Sequence, residues 1–314
     1  MNAQDTVPAV DAALAAADRH VERGEWRAAI DVLEASRRAR GGAAVEERLV
    51  HVRHSAFAHD DVGPLDASWP PSVVDDFADV GPGTLPEVAS ADLTPRLLAT
   101  ALQHHGSLIV RGLLAPATAE DLLADTRRAF EADEAAAAGA PVEDTSPWYR
   151  PFEPDEGHSF GFFERFAARA GGGVLMAESP RLLARVIDVY RSIGVGDLLS
   201  AYLGEWPALS VKKSTLRRAT PASDTGWHQD GQFLGDDLRV VNAWIPVTPC
   251  GTDAPGLAIV PKRLESILST GGDGLAFDWT VTGENVSALT DGAPVVYPEF
   301  EAGDALLFDD WLLH

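Results

Sequence analysis

The sequence is poor in cysteine and has no long apolar run. Its one cysteine, Cys250, excludes an intramolecular disulfide and a zinc site built from cysteines. No stretch approaches the roughly 20 apolar residues that span a bilayer, and the N-terminus has acids where a signal peptide needs bases. These features predict a cytoplasmic protein.

Positive charge is also scarce. The formal net charge is -23, from 48 acidic and 25 basic residues, and lysine occurs only at Lys212, Lys213 and Lys262. A surface of this sign repels nucleic acid and anionic lipid, so we expect neither as a partner. The 46% of hydrophobic residues and 23% of charged residues are typical of an ordinary globular chain.

Residues 1–60 are predicted to form a small helical module. Apolar residues recur at i, i+4 and i+7 in two stretches separated by Gly41-Gly42: Trp26, Ile30, Leu33, Val45, Leu49 and Val52. The stretch 24–30 resembles the turn and second helix of a tetratricopeptide repeat. Barely more than one unit is present, which does not support a solenoid. A helical cap on the main domain and a docking module for a protein or carrier partner both stay open.

Residues 61–92 are predicted to be an irregular linker, because prolines and acids are frequent there. The main domain then covers residues 93–314. Its first half is predicted to be mostly helical, with helices at 93–104, from 116, at 180–192 and at 196–203, and one strand at 107–111.

The second half of the main domain is predicted to be β-structure. Short apolar runs are separated by clusters of glycine, proline and aspartate, at 209–211, 240–245, 257–260 and 305–308. This spacing favours an antiparallel sandwich or jelly roll. The fold class is therefore α+β, and we expect the chemistry in the β half.

A histidine, an aspartate and a distant second histidine form a candidate metal-binding set. In an extended segment, residues i and i+2 project to the same face, so His228 and Asp230 can bind one ion together. His314 would supply the third ligand from a distant strand. Two imidazoles and one carboxylate hold non-haem Fe(II) and leave the opposite positions open.

The same two-residue spacing occurs twice near the N-terminus, in the stretches 20–22 and 59–61. Both stretches lie in or beside predicted helices, where we interpret them as solvated polar residues. Spacing alone is therefore a weak signal. The strand context of the later pair distinguishes it from the other two.

Four ordered motifs carry a family resemblance, at residues 226–231, 242–247, 255–262 and 303–314. They resemble the motifs of the phytanoyl-CoA dioxygenase-like Fe(II)/2-oxoglutarate oxygenases, over roughly residues 95–314. The resemblance implies a double-stranded β-helix of the jelly-roll or cupin-like kind with flanking helices. It also implies that His228, Asp230 and His314 hold Fe(II).

The resemblance further implies the reaction. Such enzymes take 2-oxoglutarate and O2 as cosubstrates, release succinate and CO2, and hydroxylate an unactivated C–H bond of a small or medium metabolite. Related halogenases have a small residue in place of the carboxylate, so Asp230 favours hydroxylation. A non-catalytic jelly-roll binding protein with a degenerate metal site is the alternative.

Four residues are candidates for binding 2-oxoglutarate. The family often places an aromatic residue beside this cosubstrate at the position of Trp244, although a tryptophan on a barrel strand is as commonly part of the core. Asn242 shares its strand face. Alternation puts Lys213 and Thr215 on one face that we expect to line the pocket, and a basic edge strand that discourages aggregation is the other interpretation.

Four further residues are candidate substrate contacts. Arg217, in the basic stretch at 212–218, lies on the same predicted strand face as Lys213 and Thr215. Tyr149, Arg150 and Phe160 lie in an irregular segment at 139–165, which in this fold often shapes the entrance for substrate. Structural roles for most residues of that segment stay open.

The end of the sequence departs from the family pattern. The family normally has an arginine beyond the distal histidine, which pairs with the distal carboxylate of 2-oxoglutarate. No residue follows His314 in the sequence. We therefore expect that a C-terminal segment is omitted and that the domain as given lacks its C-terminal strand.

Overall fold

The computed structural model describes residues 9–59, 69–81, 83–153, 168–169, 172–210, 214–220, 226–234, 238–271, 280–290 and 294–314. The chain forms two compact units. Unit 1 comprises Met1–Pro64, Ala124–Val189 and Ala208–Arg218, and unit 2 comprises Leu65–Leu123, Tyr190–Pro207 and Ala219–His314. These units differ from the ranges expected from composition, and the domain ranges stay a prediction.

The predicted helices and the predicted strand in the first half of the main domain are confirmed, with ends that differ by at most two residues. The α-helices are α1 (Val10–Glu22), α2 (Trp26–Arg40), α3 (Ala43–His59), α4 (Pro95–His105), α5 (Pro116–Ala137), α6 (Val142–Thr145), α7 (Pro180–Ser192), α8 (Val195–Leu203), α9 (Gly231–Leu234) and α10 (Gly283–Thr290). The strands are β1 (Glu87–Ala89), β2 (Ser107–Arg111), β3 (Gly173–Leu175), β4 (Thr215–Arg217), β5 (Asn242–Trp244) and β6 (Ala305–Phe308).

Helices α1, α2 and α3 of unit 1 pack through the apolar stripes that the sequence predicts. Leu33, Val45, Leu49 and Val52 are buried there, and the two remaining predicted residues pack against them. Small residues such as Ala17 at the contact let the helices approach closely. The predicted helical stripes are therefore confirmed.

Helices α2 and α3 form ion pairs with helix α7, which also belongs to unit 1. A guanidinium nitrogen of Arg37 donates to Asp188 at 2.8 Å, and Nε of Arg181 donates to Glu46 at 3.1 Å. Residues of the first helices are thus part of a larger unit. A protein or carrier partner for these helices stays a prediction.

Unit 2 contains a four-stranded sheet in the order β1-β2-β6-β5, in which only the pairing of β1 with β2 is parallel. Helix α4 begins at Pro95, and the side chain of Thr94 caps it by accepting from the N–H of Leu97. Its last residue is His105, and the left-handed conformation of Gly106 then turns the chain directly into β2.

The two faces of this sheet are buried in different clusters. One face, with Leu108 and Leu307, packs against helix α4. The other face carries Ile109, Leu306 and Phe308, and packs against residues from the loops that follow β5. This second face leads to the candidate metal ligands.

The β half is only partly as predicted. Strand β6 matches the expected 305–308 run, and β5 covers the middle of the 240–245 run. At 257–260 the structure has a single bridge between Ile259 and Val296, because Pro255 and Pro261 beside the run interrupt a ladder. Residues 209 and 210 are not in a strand.

The described strands form the four-stranded sheet and a two-stranded sheet of β3 and β4, and they do not close into a barrel. The mixed α+β class is thus confirmed, while the double-stranded β-helix is not established by these strands. Within the described ranges, no helix combines the length and the apolar character needed to cross a membrane.

Candidate metal centre

The two histidines of the candidate site lie opposite each other on paired backbone segments. The N–H of His228 donates to the carbonyl oxygen of His314 at 2.9 Å, and the N–H of His314 donates to the carbonyl oxygen of His228 at 3.1 Å. Such a reciprocal pair places two side chains on the same face. The imidazole ring centroids are accordingly 4.4 Å apart.

Each imidazole is oriented by a backbone carbonyl of its own segment. Nδ1 of His228 is 2.9 Å from the oxygen of Gly226, and Nδ1 of His314 is 3.1 Å from the oxygen of Leu312. A carbonyl oxygen only accepts, so Nδ1 carries the proton in both rings and Nε2 carries the lone pair. Orientation of this kind is what metal-binding histidines normally have.

The turn before the first histidine requires glycine at position 226. Gly226 has φ of 69°, a conformation that is costly for residues with a side chain. A Cβ atom there would also lie 2.8 Å from the side chain of Thr280. The chain therefore makes a tight bend at this position.

Asp230 completes the set from the same turn. One ligand atom each of His228, Asp230 and His314 lies within 4.8 Å of the other two. Two donors at about 2.1 Å from one ion are at most about 4.2 Å apart, so closing the site needs only small movements. Asp230 is 9% exposed and both histidines are half-buried.

This arrangement fits a divalent ion of the iron type. Two neutral imidazole nitrogens and one carboxylate on one side of an ion form the facial set of non-haem Fe(II) oxygenases. Among the described residues, no other group of three or more histidine, cysteine or acidic side chains could hold a metal ion. The predicted ligands are thus brought together by the fold.

Gln229 holds the turn from its buried side, a role that no pattern in the sequence predicts. Its side-chain nitrogen donates to the carbonyl oxygens of Trp311 at 2.7 Å and Ser266 at 3.2 Å. Its side-chain oxygen accepts from the N–H of Leu268 at 2.8 Å. Gln229 is 1% exposed. In the sequence, only its position between His228 and Asp230 could have indicated this role.

Arg263 and Asp309 form a second support that the sequence analysis missed. Nε of Arg263 donates to Asp309 at 2.8 Å, and the carboxylate lies five positions before His314. Burial raises the pKa of Asp309 to about 6 and outweighs the opposing effect of Arg263. The two residues are 46 positions apart, and no local pattern in the sequence links them.

The turn before β6 is fixed by Asp304. Burial raises the pKa of this carboxyl, but hydrogen bonds from Arg111 and from the N–H groups of Gly112 and Glu301 outweigh burial and hold the pKa below its usual range. The carboxylate joins the end of β2 to the start of β6. It thereby sets the position from which the chain runs on to His314.

Trp244 and Asn242 lie on the sheet face that leads to the metal ligands. In the register of the sheet, Asn242 is opposite Phe308, and the ring centroid of Phe308 is 4.8 Å from that of His314. Trp244 packs against Phe300, with centroids 5.0 Å apart. Both residues are half-buried.

The other predicted contacts are not brought together with the ligands in one unit. Thr215, Arg217, Tyr149 and Arg150 all belong to unit 1, whereas the three ligands belong to unit 2. Lys213 and Phe160 lie outside the described residues. The Tyr149 hydroxyl is 3.1 Å from the Arg169 guanidinium, and Arg150 pairs with Glu47 at 2.7 Å.

The mixed α+β fold brings together three side chains that could hold one metal ion. The sequence model of the family described as phytanoyl-CoA dioxygenase (PhyH) matches residues 102–314, more than half of the chain. The chain therefore belongs to the phytanoyl-CoA dioxygenase family, whose members are dioxygenases and typically use Fe(II) and 2-oxoglutarate. No curated protein matches the chain significantly.

Proposed function

We propose that this protein is an Fe(II)- and 2-oxoglutarate-dependent oxygenase that hydroxylates an unactivated C–H bond of a small or medium metabolite. The observation that supports it most is the convergence of His228, Asp230 and His314, with both imidazoles oriented through Nδ1. Bound Fe(II) with 2-oxoglutarate and O2 supplies the oxidising chemistry, which releases succinate and CO2. A double-stranded β-helix is part of this proposal.

The carboxylate of Asp230 supports hydroxylation over halogenation. A metal site that binds chloride needs a coordination position that no side chain fills. In this protein the Asp230 carboxylate lies within reach of the ion position. The side chains of the site then have three tasks, which are to hold the ion, to orient the cosubstrate and to exclude water.

Asn242 is proposed to bind 2-oxoglutarate. Its side-chain nitrogen is buried and has no hydrogen-bond acceptor among the described residues. A buried donor in this state carries an energetic cost that a carboxylate or keto oxygen would remove. Its strand position opposite Phe308 places it on the face that leads to His314.

Trp244 is proposed to line the same pocket. Its contacts with Phe300 show that one side of the ring belongs to the core. The half-buried state leaves part of the ring for the cosubstrate. Lys213 and Thr215 stay proposed cosubstrate contacts, and Tyr149, Arg150, Phe160 and Arg217 stay proposed substrate contacts.

The test is formation of succinate from 2-oxoglutarate by the full chain in the presence of Fe(II) and O2. Asp230→Ala should abolish this turnover, because the ion loses its only carboxylate ligand. Glu22→Ala is the matched control, since Glu22 follows His20 by two residues on helix α1, where such residues do not face each other. The control should keep wild-type turnover.

Two results would contradict the proposal. One is a full chain that binds neither divalent metal nor 2-oxoglutarate. The other is an Asp230→Ala protein that forms succinate at the wild-type rate. Binding of metal and 2-oxoglutarate without any turnover would favour the non-catalytic alternative.

A further inference from the structure

A short segment at residues 263–268 contacts both parts of the chain that carry the metal ligands. We call it the bracket segment. One part of the chain is the turn with His228 and Asp230, and the other is the final stretch that ends at His314. All of these residues belong to unit 2.

The first contact of the bracket segment is with the final stretch. The Arg263 guanidinium donates to Asp309 at 2.8 Å and lies over the Trp311 ring, 4.6 Å from its centroid. The other oxygen of Asp309 accepts from the N–H of Trp311 at 3.0 Å. One guanidinium thus fixes the course of the chain directly before His314.

The backbone of the same stretch is held from a second side. The N–H of Asp309 donates to the carbonyl oxygen of Gly106 at 3.1 Å. A Cβ atom at Gly106 would lie 3.3 Å from the Cα atom of Arg263. The end of helix α4 therefore packs directly against the start of the bracket segment, and it leaves Arg263 little room to move.

The second contact of the bracket segment is with the turn. The carbonyl oxygen of Ser266 and the N–H of Leu268 bind the side chain of Gln229. The same side chain donates to the carbonyl oxygen of Trp311 at 2.7 Å. Since Gln229 lies between the two ligands of the turn, its fixed position restricts both of them.

We propose that Arg263 is a positioning residue that, through Asp309 and Trp311, sets the distance of His314 from the other two ligands before metal binds. This inference rests on the proposed metal site. The bracket segment connects the two ligand-bearing parts of the chain, so the site is preorganised by the protein. Groups behind metal ligands typically change metal affinity about 10- to 100-fold when they are removed.

The test compares the Co(II) affinity of the wild-type full chain with that of its variants. Arg263→Met removes the charge and the stacked plane, and it should weaken Co(II) binding roughly 10- to 100-fold. Arg263→Lys keeps the charge without the planar fork, so it should fall between Arg263→Met and wild type. Co(II) titration followed by absorption measures the affinity without any turnover.

Arg239→Met is the matched control. Arg239 also lies over a tryptophan, 5.0 Å from the ring centroid of Trp69, and donates to the carbonyl oxygen of Leu203 at 2.7 Å. Its loss removes a comparable stacked guanidinium from unit 2 but touches neither ligand-bearing part through these contacts. Its metal affinity should equal that of wild type, whatever its melting temperature.

A double-mutant cycle with Asp309→Asn tests whether Arg263 acts on His314 through Asp309. Because Arg263 acts through Asp309, the losses of Co(II) affinity in the two single variants should not add in the double variant. Wild-type affinity in Arg263→Met, or an equal loss in Arg239→Met, would overturn the inference while leaving the proposed function intact. Absence of Co(II) binding in wild type would instead overturn the proposed function itself, and the inference with it.

Discussion

Among the buried carboxylates that guanidinium groups hold, Glu34 lies in unit 1 and Asp309 lies in unit 2. Their side chains are 6% and 8% exposed. The groups around Glu34 are Arg37, Arg38 and Arg53, all from helices α2 and α3. The group around Asp309 is Arg263, from a loop 46 positions away.

Both clusters pair a buried carboxylate with guanidinium, but different parts of the protein surround them. Around Glu34, the neighbours are helices that pack through apolar stripes. Beside Asp309, the neighbours are the residues that lead to a metal ligand. We infer that buried carboxylate–guanidinium contacts stabilise packed helices in one unit and, under our proposal, position a metal ligand in the other.

The largest expected effect is on stability in unit 1. Glu34→Gln removes a buried charge and leaves the surrounding guanidinium groups without it, which should lower the free energy of unfolding by roughly 3–5 kcal/mol. Metal affinity of the folded protein should not change. Denaturant unfolding, together with Co(II) titration, measures the two quantities on the same samples.

Glu25→Gln is the control for this prediction. Glu25 also accepts from an arginine, Arg23, at 2.8 Å, but its side chain is exposed. Exposed ion pairs contribute little, so stability should stay close to that of wild type. Equal losses in the two variants would contradict the distinction between buried and exposed pairs.

The next effect concerns pH and Asp309. Burial raises the pKa of this carboxyl from 3.8 to about 6, so the folded state binds a proton more tightly than the unfolded state. Its contribution to stability is therefore present below about pH 4 and is lost as the pH rises through about 6. The change should be roughly 3 kcal/mol, because the pKa rises by about two units and each unit corresponds to about 1.4 kcal/mol.

Asp309→Asn isolates this contribution, since an amide does not titrate. The free energies of unfolding of wild type and Asp309→Asn are measured in metal-free protein from pH 4 to 7. As the pH rises, the value for wild type should fall relative to the value for Asp309→Asn. Arg263 and Asp310 also act on this carboxyl, and both are kept in the variant. A difference that is constant over this range would contradict the raised pKa.

The smallest expected effect on stability is at Asn242. Its side-chain nitrogen has no acceptor among the described residues, so Asn242→Ala should change the free energy of unfolding by no more than about 1 kcal/mol. The same variant should bind 2-oxoglutarate more weakly, about 10-fold for one lost hydrogen bond to a charged group. Isothermal titration of metal-loaded protein measures this loss.

Gln103→Ala provides the comparison for Asn242. Gln103 also has a buried side-chain nitrogen without an acceptor in the described part of the chain, but it lies on helix α4. Its removal should leave 2-oxoglutarate affinity unchanged. Equal weakening in both variants would mean that Asn242 has no direct contact with the cosubstrate.

The sequence was informative where structure depends on neighbouring residues. Helical periodicity located α2 and α4, and the buried run at 107–111 is strand β2. The sequence also pointed to the three side chains that the fold brings together, because their residue types and the order of the motifs around them are distinctive.

The side chains that hold the site in place could not be predicted from neighbouring residues in the sequence. Arg263 meets Asp309, and Gln229 meets Trp311, across 46 and 82 positions. Such pairings depend on how the loops fold over the sheet. The run at 257–260 failed as a strand for a related reason, since a strand needs a partner and only Ile259 has a bridge to Val296.

The central claim is that three side chains from two distant parts of the sequence form one metal site. The most direct measurement is the stoichiometry and affinity of Co(II) binding to the full chain and to Asp230→Ala. The account predicts one tightly bound ion per chain in wild type and a loss of affinity by at least about 100-fold in the variant. Equal binding by the two proteins, or no binding by wild type, would contradict it.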